Sequence, residues 1–146
     1  MSVSLTIDAI TDADVEPVVA LWQRCGLTRP WNDPHADIAL ARRRDNSTVL
    51  VGRDGSAIVA TVMVGHDGHR GWVYYVAVDP EGRKRGFVRV IMAAAEDWLR
   101  QAGILKLQLL VRRENAQANA FYQSLGFEES TSVMFQKWLD GRASTT

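Results

Sequence analysis

Residues 85–101 constrain this chain more than any other stretch. In "RGFVRVIMAAAEDWLRQ" the apolar residues Val88, Ile91, Met92, Ala95 and Trp98 or Leu99, followed by Ala102, recur at helical spacing. Arg89, Glu96, Asp97 and Arg100 fall on the opposite face. A helix with one apolar stripe must lay that stripe on an apolar surface. The flanking segments supply one. Trp72 to Val78 is aromatic and β-branched and is ended by Pro80, and Leu105 to Val111 is a short run rich in leucine, so both predict strands. A long helix between two strands points to a layered sheet-and-helix fold.

The remaining segments extend that arrangement. Leu5 to Ile7 predicts a short first strand. Thr11 or Asp12 caps a helix through about Cys25, with Val15, Val18, Val19 and Trp22 at helical spacing and Gly26 as its stop. "LTRPWNDP", Leu27 to Pro34, is a loop by its prolines, Asn and Asp. His35 to Arg44 predicts a second short helix. Thr48 to Arg53, Asp54-Gly55 and Ala57 to Gly65 predict a hairpin, and Asp67-Gly68 a further turn. Gly103 ends the long helix. Ala116 to Leu125 predicts a helix packed through Ala116, Ala120, Phe121 and Leu125 and closed by Gly126, and Ser132 to Trp138 a last strand. The order β-α-α-β-β-β-α-β-α-β predicts a mixed sheet with helices on its faces. Without an internal repeat or a long linker, residues 1–140 form one expected domain, with a short tail over 141–146.

Composition removes several function classes. The chain has 146 residues, 47% of them apolar and 23% charged, which suits a globular core. Its formal net charge is zero, whereas general nucleic-acid or membrane-surface binders carry a broad basic excess. Neither partner is expected, and any anion site must be local. Cys25 is the sole cysteine, so a disulfide framework and a thiolate metal cluster are both ruled out. "MSVSLTID" holds no apolar signal core, and no run approaches membrane-spanning length, so a reducing cytoplasm is the expected compartment.

Two stretches carry chemistry. Arg83, Lys84 and Arg85 stand directly before Gly86 and the long helix. The first N–H groups of a helix lack intrahelical acceptors and favour phosphate, and glycine lets backbone come close to a ligand. A solvated surface loop would explain the same cluster. In "NAQANAFYQSLGF", Tyr122 brings a phenol that donates a proton at neutral pH, or simply packs. Asn115 either caps its helix or presents an amide to a ligand.

Together the two stretches are more specific. Arg83-Lys84-Arg85-Gly86-Phe87-Val88 resembles the Gln/Arg-x-x-Gly-x-Gly/Ala loop of the GNAT superfamily of acyl-CoA-dependent N-acetyltransferases. "VAVDPEGRKRG" is similar to that family's strand-to-loop approach, and "NAQANAFYQSLGF" to its Asn-x-x-Ala-x-x-x-Tyr-x-x-x-Gly-Phe segment. The element order fits the family over essentially the whole chain. "LTRPWNDP" and "GHDGHRG" further resemble the YpeA group of bacterial acetyltransferases.

The resemblance implies an α/β (α+β) fold with a mostly antiparallel sheet splayed at its central strands and helices on both faces. It implies acetyl-CoA as cosubstrate and direct attack by a primary amine, on a small molecule or a peptide, without an acyl-enzyme. Backbone groups of Val76, Ala77 and Val78 would pair with the pantetheine arm, with the N–H of Val76 or Ala77 facing the thioester oxygen. Arg83, Lys84, Arg85, Gly86, Phe87 and Val88 would wrap the pyrophosphate. Asn115 would contact the CoA arm with Phe121 packed nearby, and Tyr122 would protonate the departing thiolate. A homodimer stays open as an assembly.

Three departures from the pattern bear on this. Lys84 stands where many members have glycine, and Val88 where the pattern has Gly or Ala. The strand before the loop reads Trp72-Val73-Tyr74-Tyr75, without the glutamate base many members carry there. Deprotonation then falls to water, Asp33, His35 or Tyr74. For the acceptor, Arg29 offers a guanidinium, Trp31 a flat wall, and Asn32 and Asp33 polar groups, in a loop stiffened by two prolines. The same loop reads equally as a turn with Trp31 in the core and Asp33 as a helix cap. Cys25 is a small apolar residue under this mechanism. His66 and His69 flank a turn without a convincing third ligand, so no metal is expected. The alternative to an N-acetyltransferase is a catalytically weak acyl-CoA-binding module with a degenerate phosphate loop.

Overall fold

A computed structural model describes residues 4–143. Residues 1–3 of the expected domain and 144–146 of the expected tail lie outside them. The chain divides into two compact units, Met1–Leu110 and Val111–Thr146.

In the first unit, β1 (Thr6–Ala9) leads through a short 3-10 turn, Asp12–Asp14, into α1 (Val15–Arg24) and then α2 (Pro34–Ala41). There follow β2 (Ser47–Asp54), β3 (Ala57–His66) and β4 (Gly71–Val78), a second 3-10 turn at Pro80–Gly82, α3 (Phe87–Gln101) and β5 (Leu107–Gln108). The sheet order is β1-β2-β3-β4-β5. Neighbours are antiparallel except β4 and β5, which run parallel.

Alternation along the strands sorts side chains to two faces. On one face Val18, Val19, Leu21 and Trp22 of α1, with Ile38 and Ala41 of α2, bury against Val49, Val51 and Ala77. The opposite face carries Leu50, Ala60, Val62, Val64 and Val73, and α3 packs against β3 and β4 there. Gly71 allows this close approach, since a Cβ built on it would stand 2.5 Å from Leu99 Cδ1. Helices therefore cover both faces, as expected.

The stripe of α3 differs at its ends from the periodic reading. Its buried residues are Phe87, Ile91, Met92, Ala95 and Leu99. Phe87 heads the stripe, Val88 is half-buried, and Ala102 is exposed. The helix begins on Phe87, so the residue nearest the sheet is one position earlier than spacing alone suggested.

The parallel ladder of β4 with β5 spans only Gly71↔Leu107 and Trp72↔Gln108. The strand expected over Leu105–Val111 is thus reduced to two residues. Beyond Trp72, β4 has no strand partner on that edge among the described residues of its unit, which is the expected splay.

In the second unit, α4 (Ala116–Ser124) is capped by Asn115, whose side chain accepts from the Ala118 N–H at 3.1 Å. Gly126, at φ 95°, closes it, and the Phe127 N–H donates to the Tyr122 carbonyl at 3.1 Å. None of its residues is buried, and Ala116 and Ala120, expected to pack, are exposed. The strand expected over Ser132–Trp138 is absent: no strand is assigned there, and Val133 and Phe135 are exposed. Alternating residues make a strand only where a ladder is available to satisfy their backbone groups.

Candidate active site

The end of β4 is shaped by a bulge. Its register against β3 steps from Met63↔Tyr74 to Thr61↔Ala77, so Tyr75 and Val76 together oppose Val62. Tyr75 takes a left-handed backbone, φ 51°. Past the bulge, the Asp79 N–H donates to the Val59 carbonyl at 2.8 Å. Strand N–H groups alternate in direction. Ala77 therefore faces β3, while Val78, and Val76 by the same alternation, face the open edge. Of Val76 and Ala77, the two residues named from the resemblance, Val76 is the one whose N–H faces that edge.

The side chains around the bulge form a linked set that the sequence did not reveal. The Trp22 Nε1–H donates to Thr61 Oγ1 at 2.8 Å, and the Thr61 hydroxyl donates to the Tyr75 carbonyl at 3.1 Å. The Trp22 and Tyr75 rings stack at 3.8 Å and 8°. The Tyr75 hydroxyl donates to Asp37 Oδ2 at 2.7 Å. Burial, then this bond to the carboxylate, pushes the Tyr75 phenol well above its ordinary range. Tyr74, the expected acceptor-side tyrosine, is 48% exposed and lies outside this set. Partial burial raises its phenol too, which makes it a poor general base. One signal was available: Trp22 and Tyr75 are the aromatic members of a helix stripe and of the strand it covers.

The loop after β4 is anchored at its start and open at its end. Asp79 Oδ1 accepts from the Glu81 N–H at 3.0 Å, and Asp79 Oδ2 pairs with Arg24 at 3.0 Å. Cys25 donates its thiol to the Val78 carbonyl at 3.2 Å, and burial pushes that thiol up despite the nearby Arg83 charge. It is a protonated packing residue, as expected. Lys84 is left-handed at φ 70°, followed by Gly86 at φ 81° as the N-cap of α3. The Val90 N–H donates to the Gly86 carbonyl at 3.3 Å, so the N–H groups ahead of it are the helix's orphan donors.

The loop cations are not alike. Arg85 pairs with Asp54 at 3.3 Å and lies 4.6 Å over the Phe87 ring. Arg83 and Lys84 are exposed and hold no hydrogen bond or ion pair among the described residues. Phe87, expected at the cofactor, gives its side chain to the core at 2% exposure and keeps only its N–H for a ligand. Two exposed cations, a glycine-led helix start and orphan donors fit a polyphosphate.

The loop over Leu27–Pro34 is structured from within. Arg29 donates to the backbone carbonyls of Gly26 and Thr28, at 2.6 and 3.0 Å. Asp33 caps α2, accepting from the His35 and Ala36 N–H groups at 3.0 and 3.3 Å. Trp31 is half-buried and Asn32 exposed. His35 Nε2 lies 2.8 Å from Glu16 Oε2. The capping role expected of Asp33 is thus realised, and Arg29, expected as an anion binder, spends its guanidinium on its own loop. The Asp67 carboxylate accepts from the N–H groups of His69 and Arg70 and closes its turn.

In the second unit, Tyr122 sits edge-on to Phe121 at 5.3 Å and to Phe127 at 5.7 Å. Burial raises its phenol, which therefore stays protonated across neutral pH.

Known proteins resemble this chain in sequence and in fold. Residues 7–127 match the model of the acetyltransferase (GNAT) family. An acetyltransferase of Yersinia enterocolitica is 38% identical over 135 residues, 92% of this chain and 96% of the relative. Among solved structures, the aminoglycoside N-acetyltransferase AAC(6')-Iy, bound to the bisubstrate analogue CoA-S-monomethyl-acetylneamine, aligns with a TM-score of 0.79 at 19% identity. That alignment covers 93% of this chain and 99% of that one. The ribosomal-protein-S18-alanine N-acetyltransferase of Escherichia coli aligns with a TM-score of 0.73 at 24% identity, over 88% of this chain and 80% of that one. At these identities the solved structures speak to the fold.

Proposed function

The chain belongs to the acetyltransferase (GNAT) family, and we propose that it moves an acetyl group from acetyl-CoA directly to a primary amine. The observation that carries this reading is the open edge of β4 running, through an anchored loop, to exposed cations at the start of α3. Val76 and Val78 offer backbone groups to the pantetheine arm. Arg83, Lys84 and the N–H groups at the start of α3 hold the pyrophosphate, and Arg85 exchanges Asp54 for it.

In the reaction, the amine nitrogen attacks the thioester carbon and the C–N bond forms. The oxyanion is stabilised by the Val76 N–H. The C–S bond breaks, Tyr122 gives its proton to the thiolate, and the ammonium proton leaves to a base or water. Since the Tyr74 phenol is raised, His35, Asp33 and water remain as bases. The acceptor meets the loop of Trp31, Asn32 and Asp33, where the exposed Asp33 carboxylate suits an ammonium group. Resemblance of this loop and of "GHDGHRG" to the YpeA group supports a bacterial enzyme of that type.

Thermal melting with acetyl-CoA and thiol release across an amine library test the reading together. We expect acetyl-CoA to raise the melting temperature by mass action, less so at high salt. No shift at millimolar acetyl-CoA would overturn it. Binding without CoA release from any amine would leave an acyl-CoA-binding module instead. With an accepted amine, Tyr122→Phe should keep CoA binding but slow turnover by roughly ten- to a thousandfold. Unchanged turnover, where chemistry limits the rate, would return Tyr122 to packing among Phe121 and Phe127.

A further inference from the structure

Tyr75 and Lys84 are the two non-glycine residues with left-handed backbone among the described residues. Lys84 lies in an exposed loop. Tyr75 lies inside a strand, where such a backbone persists only when its surroundings over-determine it. Three contacts from three elements do so. Thr61 of β3 binds its carbonyl, Trp22 of α1 covers its ring, and Asp37 of α2 holds its hydroxyl.

Resting on the acetyl-CoA reading above, we infer that Thr61, Trp22 and Asp37 are positioning residues: they clamp Tyr75 so that the edge beyond it, and the Val76 N–H in particular, is aimed at the thioester oxygen.

Packing alone does not explain the choice of side chain at Thr61. The residue is fully buried on the sheet face that α1 covers, with Val51 opposite it on β2. Valine would fill the same volume. Instead a hydroxyl is buried, accepting from Trp22 and donating to Tyr75, so neither valence is idle. Within a regular ladder the Tyr75 carbonyl would find a strand partner. The bulge changes that register, and the hydroxyl supplies the bond. Asp37 accepts at the other end, and the raised phenol keeps that donor intact across the working pH range. A backbone donor fixed in this way costs no reorganisation when negative charge develops.

The test reads the thioester carbonyl itself and needs no acceptor amine. Infrared difference spectra are recorded for [1-13C]acetyl-CoA bound to the wild type, Thr61→Val and Thr61→Ser. Titration with CoA, which lacks the acetyl group, gives binding separately. We expect the wild-type band to fall below that of free acetyl-CoA. Thr61→Val should lose most of that displacement while its CoA Kd moves by less than about twofold. Thr61→Ser, which keeps the hydroxyl, should restore it. A folded Thr61→Val protein with the wild-type band would overturn the inference and leave the acetyl-CoA reading intact, and so would an undisplaced wild-type band. Failure of the wild type to bind acetyl-CoA at all would overturn both. If Thr61→Val does not fold, Tyr75→Phe, which keeps the stacked ring and drops the bond to Asp37, decides the matter. Its band should shift toward the free value, and an unchanged band would overturn the inference.

Discussion

At the scale of single residues, Lys84 holds a backbone that L-residues avoid by roughly 1–2 kcal/mol. It keeps an exposed charge at the edge of the loop in exchange. Replacing it by glycine relieves the backbone but removes the charge, and replacing it by alanine removes the charge alone. Comparing the two variants separates the effects. Lys84→Gly should be more stable than Lys84→Ala by about 1 kcal/mol in denaturant unfolding, since the glycine gain is trimmed by its freer unfolded chain. Both should weaken CoA binding alike in titration. Equal stabilities would mean the left-handed turn carries no strain. Val88 makes a second residue-scale case. It is half-buried and does not head the core stripe, so Val88→Ala should cost little stability, under about 1 kcal/mol. If its branched side chain crowds the phosphate, the variant should also bind CoA several-fold more tightly, about 1 kcal/mol. Weaker binding with an intact fold would show instead that Val88 supports the loop.

At the scale of elements, α3 and the sheet meet in a close contact at a glycine. Gly71→Ala places a methyl group 2.5 Å from Leu99 Cδ1, close to the β4–β5 ladder. Leucine is movable, so the expected cost is about 1–3 kcal/mol, with CoA affinity nearly kept. A variant as stable as wild type would mean that Leu99 swings aside freely. Elements also show where sequence patterns suffice. The periodic stripe of α3, the hairpin over β2 and β3, and the Asn115 cap of α4 were all legible, because each rests on neighbours within a few residues. The two-residue β5 and the missing strand over Ser132–Trp138 were not. Both segments have suitable residues, but a strand is a relation between segments, and sequence composition carries no ladder.

At the scale of the whole molecule, stability toward acid has an identifiable contributor. Asp14 is buried, which alone would raise its pKa, but bonds from Arg53 at 2.7 Å and the Thr11 N–H at 2.9 Å outweigh this and hold it below the ordinary 3.8. A depressed carboxylate stabilises the fold above its unfolded pKa, and that contribution is lost as pH falls through the folded value. Asp14→Asn should therefore be less stable at neutral pH, by about 1–3 kcal/mol, and the gap to wild type should close as pH drops below about 4. A gap that is constant with pH would assign the loss to packing. Among the described residues no helix is long and apolar enough to cross a membrane. What the sequence determined by itself were the local quantities: apolar period, glycine and proline stops, caps, and the basic run ahead of a helix. These follow from near-neighbour sterics and hydrogen bonding, and they carried the fold class and the polyphosphate candidate. The tertiary structure alone decided which tyrosine is held from several sides, turning Tyr75 rather than Tyr74 beneath Trp22 and onto Asp37. It also set Arg29 and Asp33 to shaping their own loop, and sent Phe87 into the core with only its N–H left for a ligand. Each of these depends on which distant side chain arrives alongside, and that is settled only when strands pair and helices pack.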